Sequence, residues 1–412
     1  MTANTRREFL GTGFALTLGA KGASGVGRGY SHAEVEKLLS TGNPNGKVGR
    51  DDLCTPALIL DLDLFDSNLA KMAFHLRERG RGLRPHAKTH KCPEIARAQI
   101  RAGAQGICAA KVSEAEVFAE HGVKGLLVTT AVIGKHKIQR ALRLAAAAPD
   151  TMFVVDDEGN AEELSEAAQA AKLNLNVTID LLVGRRTGME PGAPVVELAQ
   201  KIAKMPRLKF RGLQSYAGHA SHTETFTKRR EASHEAMEKA FETRRMLEKA
   251  GFEVPLLSGG STGTYNIDSE MEALTELQPG SYIFMDVDYN RIGGQSGPKY
   301  TDFANALTVL TSVVSRPAPK RAIVDAGFKA FSTDRPFPPE CKDVAGIQYA
   351  FAGDEHGRLD FSEAARELKL GDRLEFIIPH CDPTVNLYDR IYCLRGEKVE
   401  KVWKIAARGM SQ

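Results

Sequence analysis

The sequence predicts an α/β chain: a (β/α)₈ TIM-type barrel over residues 57–298, then a mostly antiparallel β domain over 299–412. Three observations lead there. From residue 57 onward, short β-rich runs alternate with helical stretches, the rhythm of βα units around a parallel sheet. After residue 298 the helical stretches stop, and strands follow one another across turns. Between these regimes, 293–298 reads Gly-Gly-Gln-Ser-Gly-Pro, punctuation with no apolar period and therefore the natural linker.

In chain order, residues 1–30 resemble an export segment. Arg6 and Arg7 precede Phe9-Leu10, a mildly apolar stretch at 11–20 and the small residues Ala23 and Ser24, the order of a secretory signal. The arginine pair resembles a twin-arginine signal, which implies a periplasmic protein; without export the chain stays cytoplasmic. Residues 31–56 form an extension leading into the fold. Candidate barrel strands are 57–62, 82–87, 106–110, 125–130, 152–156, 176–182, 209–216 and 254–258, with helices such as 113–120, 158–171, 195–205 and 224–250 between them. Eight strand candidates followed by helices favour a closed barrel over an open doubly wound sheet. In the β domain the candidate strands are 306–315, 321–326, 347–351, 373–379, 387–393 and 399–405.

Composition excludes several function classes. Lys and Arg total 55 against 52 Asp and Glu, and a net charge of +3 is too small to drive binding to nucleic acid or to an acidic membrane surface. No apolar run approaches the ~18 residues needed to cross a bilayer. The six cysteines form no CxxC pair, so they fit scattered free thiols rather than a zinc ribbon or a redox pair.

The chemistry-bearing residues gather where candidate strands end, which in a barrel is the active-site mouth. Arg84-Pro85-His86-Ala87-Lys88-Thr89-His90-Lys91 follows the second candidate strand. A lysine there, among cations and partly desolvated, is expected to have a lowered pKa and to serve as an imine-forming amine. Taken alone, a basic loop is more often a solvated face. Gly184-Arg185-Arg186-Thr187-Gly188 offers a cation to a cofactor oxygen, or only a surface arginine pair. Tyr216-Ala217-Gly218-His219-Ala220-Ser221-His222 offers a ring and two imidazoles for cofactor contact and proton transfer. Ser258-Gly259-Gly260-Ser261-Thr262-Gly263-Thr264 follows the eighth candidate strand, where barrels frequently bind phosphate through backbone N–H groups. Pro379-His380-Cys381-Asp382 sets His380 and Asp382 on one side of an extended chain and Cys381 on the other, a pair suited to Zn²⁺ or Mn²⁺.

Together, R-P-H-A-K-T-H-K, R-T-G, Q-S-Y-A-G-H-A-S-H, S-G-G-S-T-G-T and H-C-D-P-T-V-N resemble the D-threonine aldolase and D-serine dehydratase group. That group has the alanine-racemase-like fold, fold type III of enzymes that use pyridoxal 5′-phosphate. The resemblance covers nearly everything after residue 50. It implies that Lys88 binds the cofactor covalently, that Arg186 bonds near its phenolic oxygen and that Tyr216 contacts cofactor or substrate. Ser258, Gly259, Gly260 and Thr262 would surround its phosphate. His222 would transfer protons beside a divalent metal (Mn²⁺, Zn²⁺ or Mg²⁺) held by His380 and Asp382. Arg185 competes with Arg186 for the cofactor, because the segment carries both.

The family's metal motif is H-x-C or H-x-D, with dehydratases tending toward cysteine. Asp382 therefore tilts the reading to an aldolase that cleaves D-threonine and related D-β-hydroxy amino acids to glycine and an aldehyde. The alternative is a dehydratase of D-serine or D-3-hydroxyaspartate. A non-catalytic pyridoxal-phosphate carrier fits less well, since it leaves the β domain without a role. The partners implied are a small amino-acid substrate and a second copy of the chain in a homodimer.

Overall fold

The computed structural model describes residues 31–361 and 367–412, so the candidate export segment at 1–30 lies outside the described residues. Two sheets organise the described residues. The first has eight parallel strands: Gly82–Leu83, Ile107–Ala109, Leu126–Val128, Met152–Val155, Leu175–Asp180, Leu208–Ser215, Leu256–Gly259 and Glu276–Leu277. Neighbouring strands pair in this order, and the last pairs with the first. The remaining seam, between first and second, is joined by a parallel bridge between His86 and Cys108 and by the Cys108 N–H donating to Pro85 O at 2.9 Å. The sheet is thus a closed barrel. Helices such as Val112–Glu120, Glu158–Ala171, Ala193–Ile202 and Phe226–Lys249 follow their strands.

One strand is exchanged relative to the sequence reading. The run at 57–62, expected as the first barrel strand, is Ala57–Asp61 in the other sheet, antiparallel to Leu307–Ala318 and parallel to Arg390–Arg395. Its alternate residues are buried on both faces: Leu58 and Leu60 join one core cluster, Ala57 and Ile59 another. A strand covered on both sides reads as a continuous apolar run whichever sheet it belongs to. The eighth barrel strand is instead the two-residue Glu276–Leu277, too short to announce itself. Each motif therefore follows a strand one place earlier than expected: Lys88 the first, Arg186 the fifth, Tyr216 the sixth and the glycine-rich loop the seventh.

The second sheet has ten strands and is antiparallel apart from the pair just named. Beyond the six expected, it contains Val48–Gly49, Ala57–Asp61, Glu340–Cys341 and Gly357–Phe361. Helix Leu62–Glu78 links the two halves. Asp61 caps it, its carboxylate accepting the N–H groups of Asp63 and Leu64 at 3.0 and 3.1 Å. Its apolar stripe of Leu62, Phe65, Leu69, Met72 and Leu76 packs into a core shared with Leu83 of the barrel and Leu307 of the β sheet. Among the described residues, no helix is long and apolar enough to cross a membrane. No disulfide forms among the described residues.

An ion pair floors the barrel. Arg84 Nε lies 2.7 Å from Glu276 Oε1, with both side chains buried, and Arg84 Nη1 also donates to Gly125 O. The site depends on Gly106, where an added Cβ would stand 2.1 Å from Arg84 Nη1. Leaving one member of a buried pair uncompensated costs about 3–5 kcal/mol. Glu276→Gln is therefore expected to lower unfolding free energy by roughly that amount in urea titration; a loss near zero would mean that the pair does not hold the floor.

Candidate active site

Lys88 sits on the 3-10 turn Ala87–Thr89 just beyond the first barrel strand. His86 caps this turn, its Nδ1 accepting the Lys88 N–H at 3.3 Å, while its Nε2 lies 3.1 Å from Thr129 Oγ1. Burial holds His86 well below the ordinary histidine range, so the ring is neutral. The Lys88 amine reaches across to the β domain, where Nζ lies 2.7 Å from Asp382 Oδ1. Thr89 Oγ1 donates to the other oxygen of that carboxylate at 3.2 Å.

This contact reverses one expectation. Cationic neighbours and burial do push the Lys88 amine toward neutrality, but the Asp382 carboxylate outweighs them and raises its pKa above the usual lysine value. Asp382 is correspondingly held below the usual carboxylate range by Lys88 and His380 despite its burial.

Lys88, Thr129, Arg186, Gln214, Tyr216 and Gln278 line one small cavity. Of the two arginines, Arg186 is the one on the cavity wall, with its guanidinium 5.7 Å from the centroid of the Tyr216 ring. Thr187 anchors that loop by donating to Asp180 Oδ2 at 3.0 Å, and Gln214 Nε2 donates to Asp180 Oδ1 at 3.0 Å. Burial pushes Asp180 up to about 6. His219 stands apart, with Arg185, Glu235 and Lys239 as its charged neighbours.

The glycine-rich loop adjoins the cavity through Gln278, whose N–H donates to Gly259 O at 2.8 Å. Its glycines serve the protein's own packing as well as any ligand: an added Cβ at Gly259 would stand 2.3 Å from Ser215 O, and Gly260 has φ +72°. The Ser258 hydroxyl, expected at the cofactor, is committed inside the barrel: it donates to Glu276 Oε1 at 2.6 Å and accepts from Gln278 Nε2 at 2.8 Å. Thr262 Oγ1 accepts the Tyr282 N–H at 3.1 Å, which leaves its own O–H to donate. Buried Arg229 ties the loops of this mouth together, donating to the carbonyls of Gly263, Thr223, Ile292 and Gly293.

His380 and Asp382 do converge, with Nε2 3.8 Å from Asp382 Oδ2, although for a different reason than alternation along an extended chain. His380 is the extended N-cap of a short helix, Cys381–Val385, and Asp382 lies in its first turn. Cys381 turns into the core, where its N–H is held by Asp286 Oδ2 at 2.8 Å. Among the described residues no set of three or more His, Cys, Asp or Glu side chains converges as a metal cage. The imidazole and carboxylate are nonetheless a suitable donor pair for a divalent ion completed by water or substrate oxygens. His222 lies 3.0 Å from Asp288 through Nδ1 and packs on Tyr289 at 4.6 Å between ring centroids.

The cavity fits pyridoxal phosphate by its donor set: a lysine amine, an arginine above an aromatic ring and a glycine-rich loop bonded to one wall. Sequence reasoning missed Thr89, Thr129, Gln214, Gln278, Asp288, Asp334 and Arg335. Thr89 and Gln214 lie inside motifs already singled out, R-P-H-A-K-T-H-K and Q-S-Y-A-G-H-A-S-H, where neither is given a role; the others lie in no motif. Gln214 carries a further signal, since it stands two residues before Tyr216 at the end of a barrel strand and alternate strand residues share a face.

Comparison with known proteins agrees with this fold. Residues 60–288 match the family model for the alanine racemase N-terminal domain, and 306–394 match one for a serine dehydratase domain. A 3-hydroxy-D-aspartate aldolase of Paracoccus denitrificans is 39% identical over 88% of this chain and 94% of its own. A D-threonine aldolase of an Arthrobacter species is 38% identical over 90% of this chain and 96% of its own. The crystal structure of D-threonine aldolase from Filomicrobium marinum superposes with a TM-score of 0.84 at 38% identity, covering 88% of this chain and 97% of that one.

Proposed function

Because the chain belongs to the alanine-racemase-like fold type III family and its β domain matches a serine dehydratase domain, we propose that it is a pyridoxal-phosphate-dependent aldolase. Its substrates are D-threonine and related D-β-hydroxy amino acids, cleaved to glycine and an aldehyde with the help of a divalent cation. One observation carries this reading: the 2.7 Å contact between Lys88 and Asp382, which brings an amine of the barrel mouth and a carboxylate of the β domain together and so supports a cofactor and an ion acting in one site.

Pyridoxal phosphate supplies an electron sink for bonds broken at the substrate Cα. The chain's residues decide which bond that is. Lys88 would hold the cofactor, Arg186 and Tyr216 would orient it, and Gly259, Gly260 and Thr262 would border its phosphate. His380 and Asp382 would hold the cation, whose contribution when bound would be to polarise the β-hydroxyl. His222 takes the hydroxyl proton as Cα–Cβ breaks and the aldehyde leaves; protonation of Cα completes glycine. Asp382, in place of cysteine, supports the aldolase over the dehydratase.

The test is product identification after incubation of the purified protein with pyridoxal phosphate, Mn²⁺ and a panel of D- and L-β-hydroxy amino acids. Glycine and an aldehyde from the D series are expected. A 2-oxo acid and ammonia would instead identify a dehydratase and overturn the proposal.

A further inference from the structure

Each of the two site imidazoles is backed by a carboxylate from elsewhere in the chain. His380 Nδ1 is hydrogen-bonded to Asp334 Oδ2 at 2.7 Å. His222 Nδ1 approaches Asp288 Oδ2 at 3.0 Å, as a charge contact rather than an aligned hydrogen bond. In both rings the carboxylate occupies Nδ1, so Nε2 is the nitrogen left for chemistry, and His380 Nε2 indeed faces Asp382. One guanidinium lies between the two carboxylates: Arg335 Nη2 is 2.8 Å from Asp288 Oδ2, and Arg335 Nε is 4.0 Å from Asp334 Oδ2. Asp288 belongs to the short helix Val287–Arg291 beyond the last barrel strand, whereas Asp334 and Arg335 come from the β domain.

We propose that Asp288 and Asp334 are positioning residues with separate duties. Asp288 holds His222 in the tautomer that presents Nε2 to the substrate hydroxyl. Asp334 does the same for His380 toward the divalent ion, and Arg335 fixes the two carboxylates relative to each other. This rests on the roles given to His222 and His380 above. The physical ground is that a carboxylate behind Nδ1–H selects one tautomer and one ring orientation, and it makes Nε2 a better base or ligand. An amide in its place can donate to Nδ1 and turn the proton to the wrong nitrogen. The His222 contact is the looser one, and catalytic hydrogen bonds often tighten only in the substrate complex.

The two duties separate experimentally in the holoenzyme. Asp288→Asn is expected to lower kcat on the order of 10²–10⁴-fold, with the cofactor absorbance retained and Mn²⁺ affinity, read by paramagnetic resonance titration without substrate, within about twofold of the parent, well short of the 10–100-fold expected for an outer partner of the ion. Asp334→Asn is expected to weaken Mn²⁺ roughly 10–100-fold, with kcat largely recovered when the ion saturates. Equal effects of both variants on Mn²⁺ binding, or parental kcat and Mn²⁺ affinity in both, would overturn the assignment. If the unsubstituted protein forms no glycine, the functional reading itself fails and takes this inference with it; if it does and the variants behave as the parent, only the inference falls.

Discussion

Lys88→Ala removes both turnover and the visible absorbance of the bound cofactor. The loss of activity is expected on the order of 10⁴-fold or more, the scale seen when a nucleophile acting as one unit with its neighbours is deleted. The stability cost is small by comparison, because the lysine side chain is partly exposed and its main partner is a single carboxylate. Freed of Lys88, Asp382 loses the larger of the two cations that hold its pKa down, and it becomes easier to protonate. Spectroscopy of the reconstituted variant separates the cases: retained absorbance with lost turnover would move the covalent attachment to another amine, and retained turnover would end the proposed chemistry.

Loss of the divalent ion is the second large effect. A dication polarising the substrate β-hydroxyl would contribute several kcal/mol to the transition state, so chelation, His380→Ala and Asp382→Ala should each lower kcat/KM on the order of 10³-fold. Cys381→Ala should do much less. Its thiol lies in the core against Asp286, and the hydrogen bond that holds the segment comes from its backbone N–H, which the substitution keeps. The expected change there is a stability loss of about 1 kcal/mol, the centre of the range for single substitutions. Full activity in metal-free protein, or equal losses for 380, 381 and 382, would contradict the arrangement.

The barrel's middle strands were legible because each is a short apolar run between glycine or polar punctuation and a periodic helix. Ala57–Asp61 was misplaced, since a strand buried on both faces has the same composition in either sheet. Glu276–Leu277 was invisible, since two residues hold no pattern. In the site, Lys88, Arg186, Tyr216, His380 and Asp382 stood out because reactive side chains cluster in short motifs at strand ends. The carboxylates behind the histidines did not. Asp288 and Asp334 are ordinary polar residues in sequence, 66 and 46 positions from the rings they face if counted as the difference in residue number, and only the fold brings them together. Ser258 is the opposite case: its motif points to a ligand, while its hydroxyl bonds Glu276 and Gln278 inside the barrel.

The placement of Ala57–Asp61 between Leu307–Ala318 and Arg390–Arg395 has a consequence for how the chain is made. A segment synthesised early is the inner stave of a layer whose two strands beside it emerge only after the barrel, so the whole barrel is spliced into a loop of that layer. Neither half can be cut free at the glycine-rich joint without tearing a row of ladder bonds. On the ribosome, the emerging polypeptide must keep this apolar segment shielded until residues beyond 390 arrive, which ties final assembly to a contact of very long sequence separation.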